Sequence, residues 1–121
     1  MIYHEIDLFI LKEIYNSYLK KQNAYTGIIA RKWNWGDKPK KFITNQKEED
    51  YWRKKYDFIG KRLKVMEKEG LIFIFKNDSG KNEYTLIKDN VILKKTKFPD
   101  KKYGKSIWIK EKDRRWQSFQ I

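Results

Sequence analysis

The side chains best suited to covalent or metal chemistry are almost missing from this sequence. His4 is the single histidine and cysteine is absent, so disulfides, thiolate nucleophiles and thiolate metal sites are excluded. There is no glycine-rich phosphate loop and no paired metal-ligand motif. Asp100-Lys101-Lys102 matches part of a nuclease-like acid-x-lysine pattern, but it lacks a suitable upstream acid on a neighbouring strand, so catalysis is not expected. His4 reads as a surface residue. No cofactor and no metal site are expected.

The chemistry that remains is that of cations. Lysine and arginine number 29 against 16 acids, a formal net charge of +13. Such a surplus attracts polyanions over long range and gains from counterion release, which makes nucleic acid the leading partner. The charge is not spread evenly. Residues 1–30 and 70–93 are neutral. Residues 31–47 carry six bases against Asp37 alone, and residues 94–121 carry ten bases against Asp100, Glu111 and Asp113.

The elements that position these cations follow from apolar spacing. Over residues 5–21, Ile6, Ile10, Leu11, Ile14 and Tyr18 recur every three or four positions, predicting a first amphipathic helix. A short second helix is expected from Thr26 as N-cap, with Ile28, Ile29 and Trp33 as its apolar stripe and an end near residues 35–36. Pro39 and clustered lysines make residues 37–47 a loop. Asn45, followed three residues later by Glu48, resembles a capping box that starts a third helix. This helix runs to Glu69 and stops at Gly70, which suits a left-handed C′ position. On it Trp52, Tyr56, Ile59, Leu63 and Met66 share one arc, while Asp50, Lys54, Asp57, Lys61, Lys64 and Lys68 share the opposite one.

After Gly70, two apolar runs flank a polar turn over residues 77–82, the pattern of a β-hairpin. Further short strands are expected at residues 91–93 and 106–109. Trp33, Trp35, Trp52, Tyr56 and Phe73 match buried faces better than base-stacking platforms. Pattern alone does not place Trp108 or Trp116, and residues 110–116 are compatible with a helix, a dimerisation segment or a basic arm.

Two helices, a longer helix ending in Glu67-Lys68-Glu69-Gly70-Leu71-Ile72, and a hairpin together resemble the winged helix-turn-helix superfamily of small bacterial, archaeal or viral regulators. Ile59, Leu63 and Met66 with that junction are similar to the end of a recognition helix and the turn into a wing. Ile28-Ile29-Ala30-Arg31-Lys32-Trp33 resembles the second helix, and the 77–82 turn resembles a wing tip. The resemblance covers about residues 5–93. It implies an α+β winged helix over residues 1–97, a three-helix core followed by a hairpin wing, with a basic extension over residues 98–121.

It further implies double-stranded DNA as partner and a sequence-specific transcriptional regulator as function. Lys54, Lys61 and Lys64 would reach phosphates or guanine edges, Arg53 would give a bidentate guanine contact, and Asp57 would accept from a cytosine amino group or hold a lysine. Lys76, Lys81 and Asn82 would touch phosphates from the wing, and Thr26 with the first turn of the second helix would bind one phosphate. Homodimerisation, common in that superfamily, would set two half-sites about one helical turn apart. Two departures stand against this mapping: Glu48-Glu49-Asp50 would repel phosphates at the start of the third helix, and the loop before that helix is long.

The alternatives are a replication-initiation or nucleoid-type factor with little sequence preference, and a protein-interaction or RNA-binding adaptor of the same fold. No apolar run approaches the roughly 18 residues of a membrane span. The opening residues lack the features of a secretory signal, so a soluble, cytoplasmic protein is expected.

Overall fold

The spacing of Ile6, Ile10, Leu11 and Ile14 becomes one buried stripe of α1, Glu5–Leu19. The computed structural model describes residues 2–97, 103–110 and 114–120. The chain is α+β, with α1, α2 (Thr26–Lys32) and α3 (Asn45–Lys68) followed by β1 (Ile72–Lys76), β2 (Asn82–Leu86), β3 (Val91–Lys97), β4 (Tyr103–Lys110) and β5 (Trp116–Gln120). The strands form two small antiparallel sheets, β1-β2 and β3-β4-β5. Among the described residues no helix is long and apolar enough to cross a membrane.

Three local expectations need correction. Tyr18 is exposed, not part of the buried stripe. It sits on the last turn of α1, where its ring lies 4.1 Å from the Lys88 ammonium and its hydroxyl accepts a 2.6 Å hydrogen bond from it. Thr26 is the first residue inside α2, and Tyr25, with extended backbone, is the N-cap. Ile29 and Ala30 of this helix are buried, whereas Ile28, expected on the apolar stripe, is exposed. At α3 the cap is Thr44, whose hydroxyl accepts from the Lys47 amide at 3.2 Å, rather than Asn45.

The junction from α3 into β1 is a Schellman turn. The Leu71 amide donates to the Met66 carbonyl and the Gly70 amide to the Glu67 carbonyl, both at 3.0 Å, with Gly70 at φ +77°. A Cβ at Gly70 would meet only the Asn90 side-chain nitrogen, at an ordinary 3.6 Å. The penalty of Gly70→Ala is therefore conformational. It is expected to lower stability by about 1–2 kcal/mol, read as a lower urea midpoint at unchanged m-value. In the hairpin turn, the Asn77 side-chain oxygen accepts from the amides of Ser79 and Lys81 at 2.9 and 3.0 Å.

The core joins all three helices to both sheets. Ile10, Leu11, Ile29, Leu63 and Met66 pack with Ile72, Ile107 and Ile109 in one buried cluster. Residues 103–110 and 116–120 thus take the strand form, and β4 places Ile107 and Ile109 in the same core as α1 and α3. Residues 100–102, which carry the acid-x-lysine pattern, lie outside the described residues.

A polar tie crosses this core. Asp7 is fully buried, and its two carboxylate oxygens accept from Arg62 Nε at 2.7 Å and Nη2 at 2.8 Å. One of those oxygens also accepts from the His4 amide at 2.9 Å, so the same side chain caps α1 and fixes it to α3.

Phe73 is the clearest departure from the expected core. It is 57% exposed and stacks on Phe75, with ring centres 6.2 Å apart. The two phenylalanines share one face of β1, whereas α1 packs against β2. Among the described residues this face of β1 stays largely open, with Phe75 40% exposed as well.

Candidate nucleic-acid interface

Hydrogen bonds made by hydroxyl groups set the hairpin beside α2. Thr26 Oγ1 lies 2.7 Å from the Tyr84 hydroxyl, and the Tyr25 hydroxyl donates to Glu83 at 3.1 Å. The Lys81 ammonium lies 5.7 Å from the centre of the Tyr25 ring. Together these contacts hold the hairpin tip over the start of α2. They border an open groove of about 650 Å³ lined by Thr26, Ile28, Arg31, Tyr56, Lys81 and Asn82.

Arg31 is the centre of this surface. Its Nε donates to the Tyr56 hydroxyl at 2.8 Å, and its guanidinium lies 4.6 Å from the centre of the Trp52 ring. The Trp52 ring backs the cation while it remains exposed. Arg31 also lines an adjoining groove of about 500 Å³ with Glu48, Glu49, Arg53 and Asp57. Arg53 is bound to Asp50 at 2.7 Å in an exposed pair, which contributes little to stability and can exchange for another anion.

Of the residues expected to contact DNA, the structure brings Thr26, Lys81 and Asn82 into the first groove, and Arg53 and Asp57 into the second. Lys54 lies on a third depression, with Asp37, Lys47 and Lys55. Lys61 and Lys64 are exposed on the same outward face of α3 as Lys54, within roughly 100° of one another on the helix. Lys76 is exposed at the end of β1, opposite Asn82. The Thr26 hydroxyl is engaged with Tyr84, so it braces the hairpin instead of standing open at the start of a helix.

Sequence reasoning did not single out Arg31, Tyr25 or Tyr84 for this surface. Arg31 counted toward the charge of residues 31–47 and the pattern of the second helix but not as a contact, because its aromatic support comes from residues more than twenty positions away.

The loop between α2 and α3 is anchored at several points. Trp35 Nε1 donates to the Ala30 carbonyl at 2.7 Å, and Lys55 pairs with Asp37 at 2.7 Å. The Tyr51 hydroxyl donates to Asp37 at 3.2 Å. The hydrogen bond from Lys55 holds the Asp37 carboxyl below the usual carboxylate range. A carboxylate lowered in this way stabilises the folded form above its unfolded pKa and loses that contribution as pH falls through the native value. Carbonyl-carbon NMR titration of Asp37 is therefore expected to show a midpoint below the ordinary value in the native chain. In Lys55→Ala the midpoint is expected to return toward the ordinary range. Burial, followed by the Asp37 charge, pushes the Tyr51 phenol up.

The anchored loop presents Lys38, Lys40 and Lys41 as exposed cations, and Lys47 is exposed on the first turn of α3. Comparison with protein-family models, with curated proteins and with solved structures finds no match for this chain.

Proposed function

We propose that this chain is a winged-helix protein that binds duplex DNA as a sequence-specific transcriptional regulator. In this reading α3 enters the major groove and the β1-β2 hairpin acts as the wing. The observation that carries it is the shared border. Arg31 lines two adjoining grooves, one bordered by the hairpin tip with Lys81 and Asn82 and the other by Arg53 and Asp57 of α3, a helix whose outward side also carries the exposed Lys54, Lys61 and Lys64. A helix fits the roughly 12 Å width of a major groove, and a hairpin beside it can reach the adjoining backbone.

The acids modify the docking. Glu48 and Glu49 flank Arg31 and Arg53 at the start of α3, so approach through the first turn would set carboxylates against phosphates. The middle of α3, at Lys54, Asp57 and Lys61, is the better reader. Arg31 then serves as a phosphate clamp between α2 and α3.

Fluorescence anisotropy with a random duplex pool and with selected sites, across salt concentrations, tests this reading. A steep salt slope and a selected site bound at least about a thousandfold above background support a regulator. Binding without preference supports a nucleoid-type or replication factor. No duplex binding at low salt rejects the DNA reading and leaves an adaptor of the same fold.

A further inference from the structure

The second sheet has an outer face that the duplex reading leaves unused. Strand alternation places Ile107 and Ile109 of β4 in the core, which turns Ser106, Trp108 and Lys110 the other way. The pairing of Trp108 with Ile92 and Ser118, of Ser106 with Lys94 and Gln120, and of Lys110 with Trp116 completes that face. Among the described residues it carries two tryptophans, two lysines and no acid. The connection over residues 111–113 lies outside the described residues.

The side chains are arranged as a platform. Trp108 is anchored by a 3.1 Å hydrogen bond from its Nε1 to Ser106 Oγ, and the Lys94 ammonium lies 4.2 Å from the centre of its ring. Trp116 is 41% exposed one strand away, and Ile92 is exposed beside Trp108. An ammonium over a fixed indole can swing to a phosphate while a base takes its place on the ring. An exposed ring at Trp116 and a part-buried one at Trp108, bordered by cations, suit splayed bases and their backbone. A rigid duplex hides its base faces in the stack.

We propose that the outer face of the β3-β4-β5 sheet is a second nucleic-acid site, one that binds single strands by stacking bases on Trp108 and Trp116 while Lys94 and Lys110 hold phosphates. Charge complementarity selects a polyanion, and the tryptophans select one with accessible bases. This site lies on different elements from the proposed duplex surface and does not depend on it.

The test uses the full chain and labelled oligothymidylate about 16 nucleotides long, the upper site size of one OB-type module. The control is an abasic strand of equal length, which keeps the phosphates and lacks bases. Oligothymidylate is expected to bind at least about tenfold more tightly than the abasic strand, since one base–aromatic stack corresponds to roughly five- to a hundredfold in affinity. Trp116→Ala with Trp108→Ala is expected to erase that preference, whereas Trp116→Phe and Trp108→Phe should retain most of it.

Equal affinity of the native chain for both strands overturns the proposal without recourse to any variant. An unaltered preference in the folded Trp116→Ala, Trp108→Ala chain overturns it as well. Lys81→Glu is expected to weaken duplex binding and leave the preference for bases intact, so failure at one surface is read separately from failure at the other. Oligouridylate is expected to bind comparably, because stacking requires only a π-face.

Discussion

Asp7→Ala is expected to cost about 3–5 kcal/mol of stability, the range for breaking a buried ion pair by removing one partner. For a chain of this length that corresponds to a fall of roughly 10–20 °C in Tm. Position alone would not suggest so large an effect, since Asp7 stands on the first turn of α1. Its carboxylate, however, is fully buried and is used three times, by Arg62 Nε and Nη2 and by the His4 amide. The hydrogen bonds that Arg62 donates to Asp7 raise its guanidinium further above an already high value, so it stays charged at every accessible pH. Without Asp7 that charge is left unpaired, with only 22% of its side chain exposed to water. Asp7→Leu combined with Arg62→Met is therefore expected to be less harmful than either single change, because the double variant leaves no orphaned charge. Urea denaturation of the four proteins gives the coupling. A loss below about 1 kcal/mol in Asp7→Ala would show that water screens the pair as at a surface.

The same pair shows where sequence reading stops. α1, α3 and the first hairpin were legible because their periods are local: Ile10 and Ile14 in α1, Ile59, Leu63 and Met66 in α3, and two apolar runs around Asn77 and Gly80. A period names a face and not what covers it. Phe73 alternates correctly for a half-buried strand, yet it is 57% exposed. Tyr18 continues the stripe of α1 but is exposed, with its ring against Lys88. Asp7 and Arg62 are fifty-five positions apart, and neither carries a local mark of pairing. Trp108 and Trp116 could not be placed because their role depends on the antiparallel pairing of β4 with both neighbours, which no short motif encodes. At the candidate interface the α3 lysines were legible as one arc. The seating of Arg31 on Trp52 and Tyr56 was not.

Lys54→Gln with Lys61→Gln is expected to reduce the salt slope of duplex binding by about two, since each phosphate contact contributes about 0.9 to it, and to weaken binding at about 0.1 M salt roughly a hundredfold. Both lysines are exposed and the contacts of α3 with the core lie on its other face, so stability should move by no more than about 0.5 kcal/mol. Lys54→Glu with Lys61→Glu should weaken binding further by placing carboxylates against the backbone. Unchanged affinity in a folded double variant would remove α3 from the interface and transfer the duplex contact to the hairpin tip and the lysine loop. The neighbouring acids then decide how α3 is oriented. If its middle lies in the groove, Glu48 and Glu49 only repel phosphates, and Glu48→Gln with Glu49→Gln should tighten binding to every duplex alike. If its first turn reads bases, these carboxylates accept from cytosine amino groups. The same variant should then gain affinity for random duplex while losing it for the selected site, and the opposite signs separate the two orientations in one pair of titrations.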